Sequence, residues 1–204
     1  MTTHTLTTVA QPEAVYGQPT ERAVRKEIDH LNEDYRAFVE ASPFIVLSSV
    51  GAGGTDASPK GDAPGFVRIL NERLLAIPDR PGNNRIDNLR NIVEDGRVSV
   101  LFIVPGVGET LRVNGTATIS ADPALLASFA VQDKLPRTVI LVKLQSVYFH
   151  CSKALVRSKL WERAQEARPA LPSTGKMLQR LTGGAFDGDA YDRELPERLK
   201  TTLY

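Results

Sequence analysis

A chain of 204 residues suffices for one domain of moderate size with an arm and a tail, and such a chain buries about 70% of its unfolded surface without covalent staples. A formal charge of +1, from 25 basic and 24 acidic residues, gives no general attraction to nucleic acid or to an anionic membrane. Cys151 is the single cysteine, so no internal disulfide forms. No apolar run spans a bilayer, and the threonine-rich start from Met1 to Gln11 lacks the plan of a secretory signal, so a soluble cytoplasmic protein is expected.

Residues 1–19 read as a polar arm with Pro12, Gly17 and Pro19 and no periodicity. A helix is expected next, with Thr20 as its cap and Val24, Ile28, Leu31, Tyr35, Phe38 and Val39 on one face; Ser42-Pro43 stops it. Phe44 to Val50 reads as a strand closed by the Gly51-Ala52-Gly53-Gly54 turn. The glycines fail as a dinucleotide fingerprint, because the third position is Asp56 and no helical pattern follows. Ala57 to Asp62 is short and polar. Phe66 to Leu70 and Leu74 to Ile77 form a hairpin around Asn71-Glu72-Arg73.

The stretch from Ile77 to Arg85 (Ile-Pro-Asp-Arg-Pro-Gly-Asn-Asn-Arg) joins that strand to a helix predicted over 85–94, with Ile86, Leu89, Ile92 and Val93 on one face. A helix start carries unpaired N–H groups and partial positive charge, and Arg80, Arg85, Asn83 and Asn84 stand beside it. Two readings fit: a phosphate cradle, or a solvated turn whose asparagines and glycine satisfy only the backbone. Val98 to Val104 is apolar enough for a central strand. Leu111 to Ile119 alternates cleanly, with Leu111, Val113, Gly115, Ala117 and Ile119 on the core side. Asp122-Pro123 caps a short helix with Leu125, Leu126 and Phe129 inward, and Thr138 to Phe149 is a long strand. After Trp161 the composition changes: 165–175 is rich in proline and small residues, a weak helix covers 176–181, and Tyr191 to Tyr204 could fold over the domain or a partner subunit. The tally is about six β-segments, mostly antiparallel, which favours a barrel.

The usual catalytic sets are absent. No Gly-x-Ser-x-Gly elbow or Walker loop occurs, and His4, His30 and His150 have no metal-ligand spacing. His150 and Cys151 are adjacent, so on an extended chain they point to opposite faces. An enzyme built this way relies on an exogenous cofactor, with the protein supplying binding, orientation and electrostatics. Single cations beside turns suit that role: Lys60, Arg80, Arg85, Arg112, Lys153 and Arg157. Each one alone reads better as a solvated surface charge, and it is the set that points to a shared anion.

Four segments in order carry a family resemblance: Ser58-Pro59-Lys60-Gly61-Asp62, the 77–85 stretch, Glu109-Thr110-Leu111-Arg112-Val113-Asn114-Gly115, and Lys153-Ala154-Leu155 through Arg157-Ser158-Lys159-Leu160-Trp161. Over about residues 20–165 the sequence resembles the pyridoxamine 5′-phosphate oxidase-related family, and within it a bacterial subgroup of flavin-binding split-barrel proteins. The resemblance implies a mainly β (α+β) fold, a six-stranded antiparallel split β-barrel with flanking helices. It divides the chain into an arm (1–19), an FMN-binding domain with a leading helix (20–165) and a helical extension (166–204). It implies a homodimer with FMN at the subunit interface. Arg80, Asn83, Asn84 and Arg85 match the loop that holds the FMN phosphate. Ser58 and Lys60 match the strand along the flavin ring, and Ile77 and Pro78 offer backbone contact at the ring edge. Glu109, Thr110, Leu111 and Arg112 match a strand approaching from the second subunit, and Arg157 and Trp161 the segment that closes the site.

The implied function is that of an FMN-dependent oxidoreductase, moving hydride through flavin N5 to or from a small molecule. The alternatives are a non-catalytic flavin- or haem-binding module for sensing or storage, and a structural dimer without the cofactor. The Arg-x-His segment with which the oxidases grip their substrate phosphate does not occur in this chain, so the function is read at the level of flavin chemistry.

Overall fold

A computed structural model describes residues 4–163 and 171–204. The sheet follows from alternation. In β6 (Thr110–Ser120) Leu111, Val113, Gly115 and Ala117 are buried and the residues between them are not, as a two-residue period requires. β5 (Arg97–Ile103) buries Val98, Val100 and Phe102 in the same way, and β1 (Phe44–Gly51) buries Ile45, Leu47 and Ser49. With β2 (Gly54–Gly61), β3 (Arg68–Asn71), β4 (Leu74–Asp79) and β7 (Thr138–His150) they make one antiparallel sheet in the order β2-β1-β5-β6-β7-β4-β3. The sheet is open, since among the described residues no strand pairing joins its two ends.

Among the described residues the strands number seven, not six. The strand missing from the periodic pattern is β2, whose Gly-Thr-Asp-Ala-Ser-Pro-Lys-Gly sequence carries no apolar face. It is extended because β1 pairs with it along its whole length, from Phe44 opposite Gly61 to Gly51 opposite Gly54. As an edge strand it tolerates Pro59. β6 and β7 share eleven paired positions with a register shift between Asn114 and Gly115. A Cβ on Gly115 would stand 2.1 Å from the Lys143 carbonyl oxygen, so this crossing requires glycine.

One apolar core is built from Val39, Ile45, Leu47, Leu75, Ile77, Phe102, Leu111 and Ile140, each fully buried, and their neighbours. A smaller cluster joins Ala76 and Val139 to Phe129, at the end of α5 (Pro123–Ser128), whose first turn is capped by Asp122 as expected.

The leading helix is broken in two. α2 (Glu21–Arg25) starts at the Thr20 cap, and α3 (Glu33–Ala41) starts at a separate cap, the Asn32 side chain, which accepts from the Tyr35 N–H at 2.9 Å. Between them the chain is held extended: Ile28 bridges to Val147, and the Leu31 N–H donates to the Glu72 carbonyl at 2.8 Å. Strand-type partners outcompete a continuous helix there, and Val24 is left exposed. The arm is not without structure either: α1 (Ala10–Tyr16) is a helix with no buried residue. α4 (Asp87–Glu94) starts two residues later than the pattern suggests and turns Asn88, Leu89 and Ile92 inward, while Val93 is 78% exposed. Asn88 is accommodated by donating to the Ser49 hydroxyl at 2.7 Å. α6 (Lys153–Ser158), α7 (Thr174–Leu181) and α8 (Gly188–Thr202) complete the chain. The expected boundary at 165/166 lies outside the described residues. Among those described, no helix is long and apolar enough to cross a membrane.

Candidate functional site

The free edge of β2 and the end of β4 face each other without backbone pairing, and side chains close the gap. Ser58 and Lys60 share one face of β2, both half-buried. Lys60 Nζ lies 2.5 Å from Asp79 Oδ1, at the end of β4. One step beyond each strand, Arg80 Nε donates to Asp62 Oδ2 at 2.9 Å, and Arg80 Nη1 donates to the Phe129 carbonyl at 2.9 Å. β4 keeps a partner on its β3 side only as far as Ala76, so Pro78 sits where the strand edge is open.

This seam opens into a cavity of about 780 Å³, in the range of small-molecule and cofactor sites. Its wall is β2 from Ser58, the 78–86 segment, the start of β7 and the last two residues of the chain. The loop is shaped by its asparagines. Asn83 Oδ1 accepts from the Arg85 N–H at 3.0 Å, an Asx turn, and Asn84 takes a left-handed φ of 59°, which asparagine tolerates better than most residues. Asn84 Oδ1 then accepts from Arg137 Nη1 at 2.9 Å. α4 follows with no side-chain cap on its first turn.

Lys60, Arg80, Arg85 and Arg137 stand against the carboxylates of Asp62 and Asp79 in the lining, so the cavity has a cationic surplus. Burial pushes the Asp62 carboxyl up, but hydrogen bonds from Tyr204, the Ala63 N–H and Arg80 outweigh it and hold it below the usual carboxylate value. The Thr138 hydroxyl, in the same wall, is buried and has no hydrogen-bond partner. An orphaned buried donor beside several cations is the pattern a bound phosphate or polar ring edge would satisfy. FMN, the group the family resemblance implies, fits this donor set.

Seven of the expected site residues therefore meet in one cavity: Ser58, Lys60, Pro78, Arg80, Asn83, Asn84 and Arg85. They are not equivalent, since the Arg80 side chain is 15% exposed whereas Arg85 is 77% exposed and pairs with Asp87 at 2.9 Å. The Ile77 side chain is in the core. Glu109, Thr110, Leu111, Arg112, Arg157 and Trp161 do not line this cavity. Leu111 is fully buried in the core, and Glu109 and Arg157 are exposed. Arg112 Nη1 donates to the Tyr148 hydroxyl oxygen at 3.1 Å, and the Trp161 indole N–H donates to the Val107 carbonyl at 2.9 Å. Thr110 pairs with His150, whose ring Nε2 is buried without a partner.

The periodic reading missed Arg137, Thr138 and Tyr204. Arg137 carried the same signal as the other cations, a single charge beside a turn, here just after Pro136 and before β7. Nothing local marks Tyr204.

A model described as pyridoxamine 5′-phosphate oxidase matches residues 31–151, more than half of the chain. The chain belongs to the pyridoxamine 5′-phosphate oxidase family. Among curated proteins none matches it. Solved structures similar to it include HupZ of Group A Streptococcus, at 17% identity and TM-score 0.46, covering 57% of this chain and 91% of that one. A candidate pyridoxamine 5′-phosphate oxidase from Lactobacillus delbrueckii is 18% identical with TM-score 0.45, covering 59% and 95%. An FMN-binding protein from Syntrophomonas wolfei is 10% identical with TM-score 0.41, covering 56% and 86%.

Proposed function

We propose that this member of the family is an FMN-dependent oxidoreductase acting on a small molecule, working as a homodimer with split-barrel subunits. The observation that carries the reading is the seam cavity, where Arg80, Arg137 and Asn84 converge with the orphaned Thr138 hydroxyl in a family member. Arg80, Arg137 and the more exposed Arg85 hold the phosphate. Ser58, Lys60 and Pro78 line the ring side, where Lys60 opposes negative charge on the ring. Bound FMN supplies hydride transfer at N5. No protein acid is needed at that atom, which suits a cavity whose Asp62 and Asp79 are already engaged by Arg80 and Lys60.

Glu109, Thr110, Arg112, Arg157 and Trp161 act on the partner's cavity in this reading. The strand of Thr110 and Arg112 supports it: on the face opposite the buried Leu111 and Val113, Arg112 lies beside Leu101 and Val46 in one row across β6, β5 and β1, all three half-buried. Such a face suits a second copy of the chain.

A binding module without turnover is the second reading, favoured by the same internal pairing of the cavity's carboxylates. Flavin fits it better than haem, since the described lining holds no histidine, cysteine or methionine and the hydroxyl of its tyrosine, Tyr204, is engaged by Asp62. The visible spectrum of the purified protein, with and without added FMN, tests the flavin. A colourless protein that takes up none ends both flavin readings. Reduction of bound flavin by a nicotinamide donor, then reoxidation by an added acceptor, separates enzyme from module.

A further inference from the structure

The far end of the chain reaches the cradle. Leu203 and Tyr204, just past α8, are part of the cavity wall. The Tyr204 hydroxyl donates to Asp62 Oδ1 at 2.7 Å, and Lys134 Nζ donates to the Tyr204 backbone oxygen at 2.9 Å. Asp62 thus accepts from Tyr204 on one oxygen and from Arg80 on the other. The Arg80 guanidinium carbon lies 5.5 Å from the Tyr204 ring centroid. A side chain from the tail therefore covers the cation best placed for an anionic ligand.

The helices behind it brace one another. The Gly175 N–H donates to Asp192 Oδ1 at 2.9 Å, the Ser173 hydroxyl donates to Asp192 Oδ2, and Lys176 pairs with Asp189 at 2.8 Å. A Cβ on Gly175 would stand 2.0 Å from the Gly188 carbonyl oxygen, so the two helices meet backbone to backbone. Neither helix makes a comparably extensive contact with any strand. A hairpin packed on itself, whose ties to the cavity region gather at its last two residues, is suited to move as a unit.

We propose that the α7–α8 hairpin is a lid over the cavity, closed in this structure, with the Tyr204–Asp62 hydrogen bond as its latch. Opening takes the ring off Arg80 and admits a phosphate-bearing ligand. The identity of that ligand rests on the flavin reading above; the latch does not.

The test uses the full chain with Thr138→Cys, which places a thiol at the buried hydroxyl position, in a Cys151→Ser background that removes the exposed native thiol. Alkylation by iodoacetamide then reports opening without any flavin. Tyr204→Phe, which deletes only the hydroxyl, raises the alkylation rate about ten-fold, the scale of one hydrogen bond to a charged group. Tyr204→Ala raises it at least as far. Equal rates in all three proteins overturn the lid. With FMN as the probe, Tyr204→Phe speeds both association and dissociation; faster alkylation with unchanged FMN rates overturns the claim that the latch governs entry. A parent protein that binds no FMN removes the flavin reading, and the alkylation rates alone then decide the lid.

Discussion

Lys60 Nζ and Asp79 Oδ1 meet at 2.5 Å across a seam where β2 and β4 exchange no backbone hydrogen bond. Their side chains are 16% and 21% exposed, between a surface pair and a buried one. A surface pair contributes about 0–1 kcal/mol, and stripping one member from a buried pair costs about 3–5 kcal/mol. Lys60→Met should therefore destabilise the fold by about 1–2 kcal/mol, and Asp79→Asn similarly. The double variant should lose less than the sum of the two, because neither charge is left alone. Urea denaturation of all four proteins measures the coupling, and strict additivity would show that the pair holds nothing together.

The cradle arginines should differ in weight. Arg80 is held by Asp62 and the Phe129 carbonyl, so it is pre-organised, whereas Arg85 is mostly in solvent. Arg80→Ala should weaken FMN binding about 10–100-fold and Arg85→Ala less than about ten-fold, in line with charge-assisted bonds of about 1.5–3 kcal/mol. Arg137→Ala should fall nearer Arg80, since Asn84 fixes its direction. Flavin fluorescence titration gives the ranking; Arg85 outweighing Arg80 would place the phosphate elsewhere.

Gly115→Ala should be among the most damaging small substitutions in the sheet. The added methyl would lie 2.1 Å from the Lys143 carbonyl oxygen, a backbone atom that cannot swing away. A loss of about 2–3 kcal/mol is expected. The same change at Gly53, where an added Cβ meets nothing within 4 Å, serves as the control. Equal denaturation midpoints would mean that the β6–β7 crossing relaxes freely.

His150 gives the fold a pH dependence. Burial, then the charges of Arg112 and Lys26, push its imidazole below the ordinary value of 6.5. Below that value the unfolded chain takes up a proton that the folded one refuses, so the unfolded state binds more protons. Stability should fall as pH drops through 6.5 toward the folded-state value and be flat above it with respect to this residue. His150→Gln should lose that part of the slope. Denaturation midpoints that run parallel in the two proteins across this window would assign the acid sensitivity to other groups.

Strands whose inward residues alternate were legible from the sequence: β6 and the Asp122 cap of α5 stand as expected. β2 was not, because an edge strand beside a polar cavity has no apolar face to reveal it and is held extended by β1. The 20–41 helix was over-read: its apolar spacing is real, but Ile28 and Leu31 spend their backbone groups on Val147 and Glu72. At the site, two of the four quoted segments, 58–62 and 77–85, brought the β2 and loop residues together, while residues of the other two lie outside the cavity. Arg137, Thr138 and Tyr204 reach it through tertiary placement that no local pattern encodes.

Each basic group around the cavity is engaged within the protein: Lys60 by Asp79, Arg80 by Asp62, Arg85 by Asp87 and Arg137 by Asn84. An incoming anion therefore meets cations already aimed by their partners rather than loose side chains, and a guanidinium group has five N–H donors to share between partner and ligand. That favours a compact dianion able to bridge several guanidinium groups at once over a lone carboxylate, which reaches fewer of them.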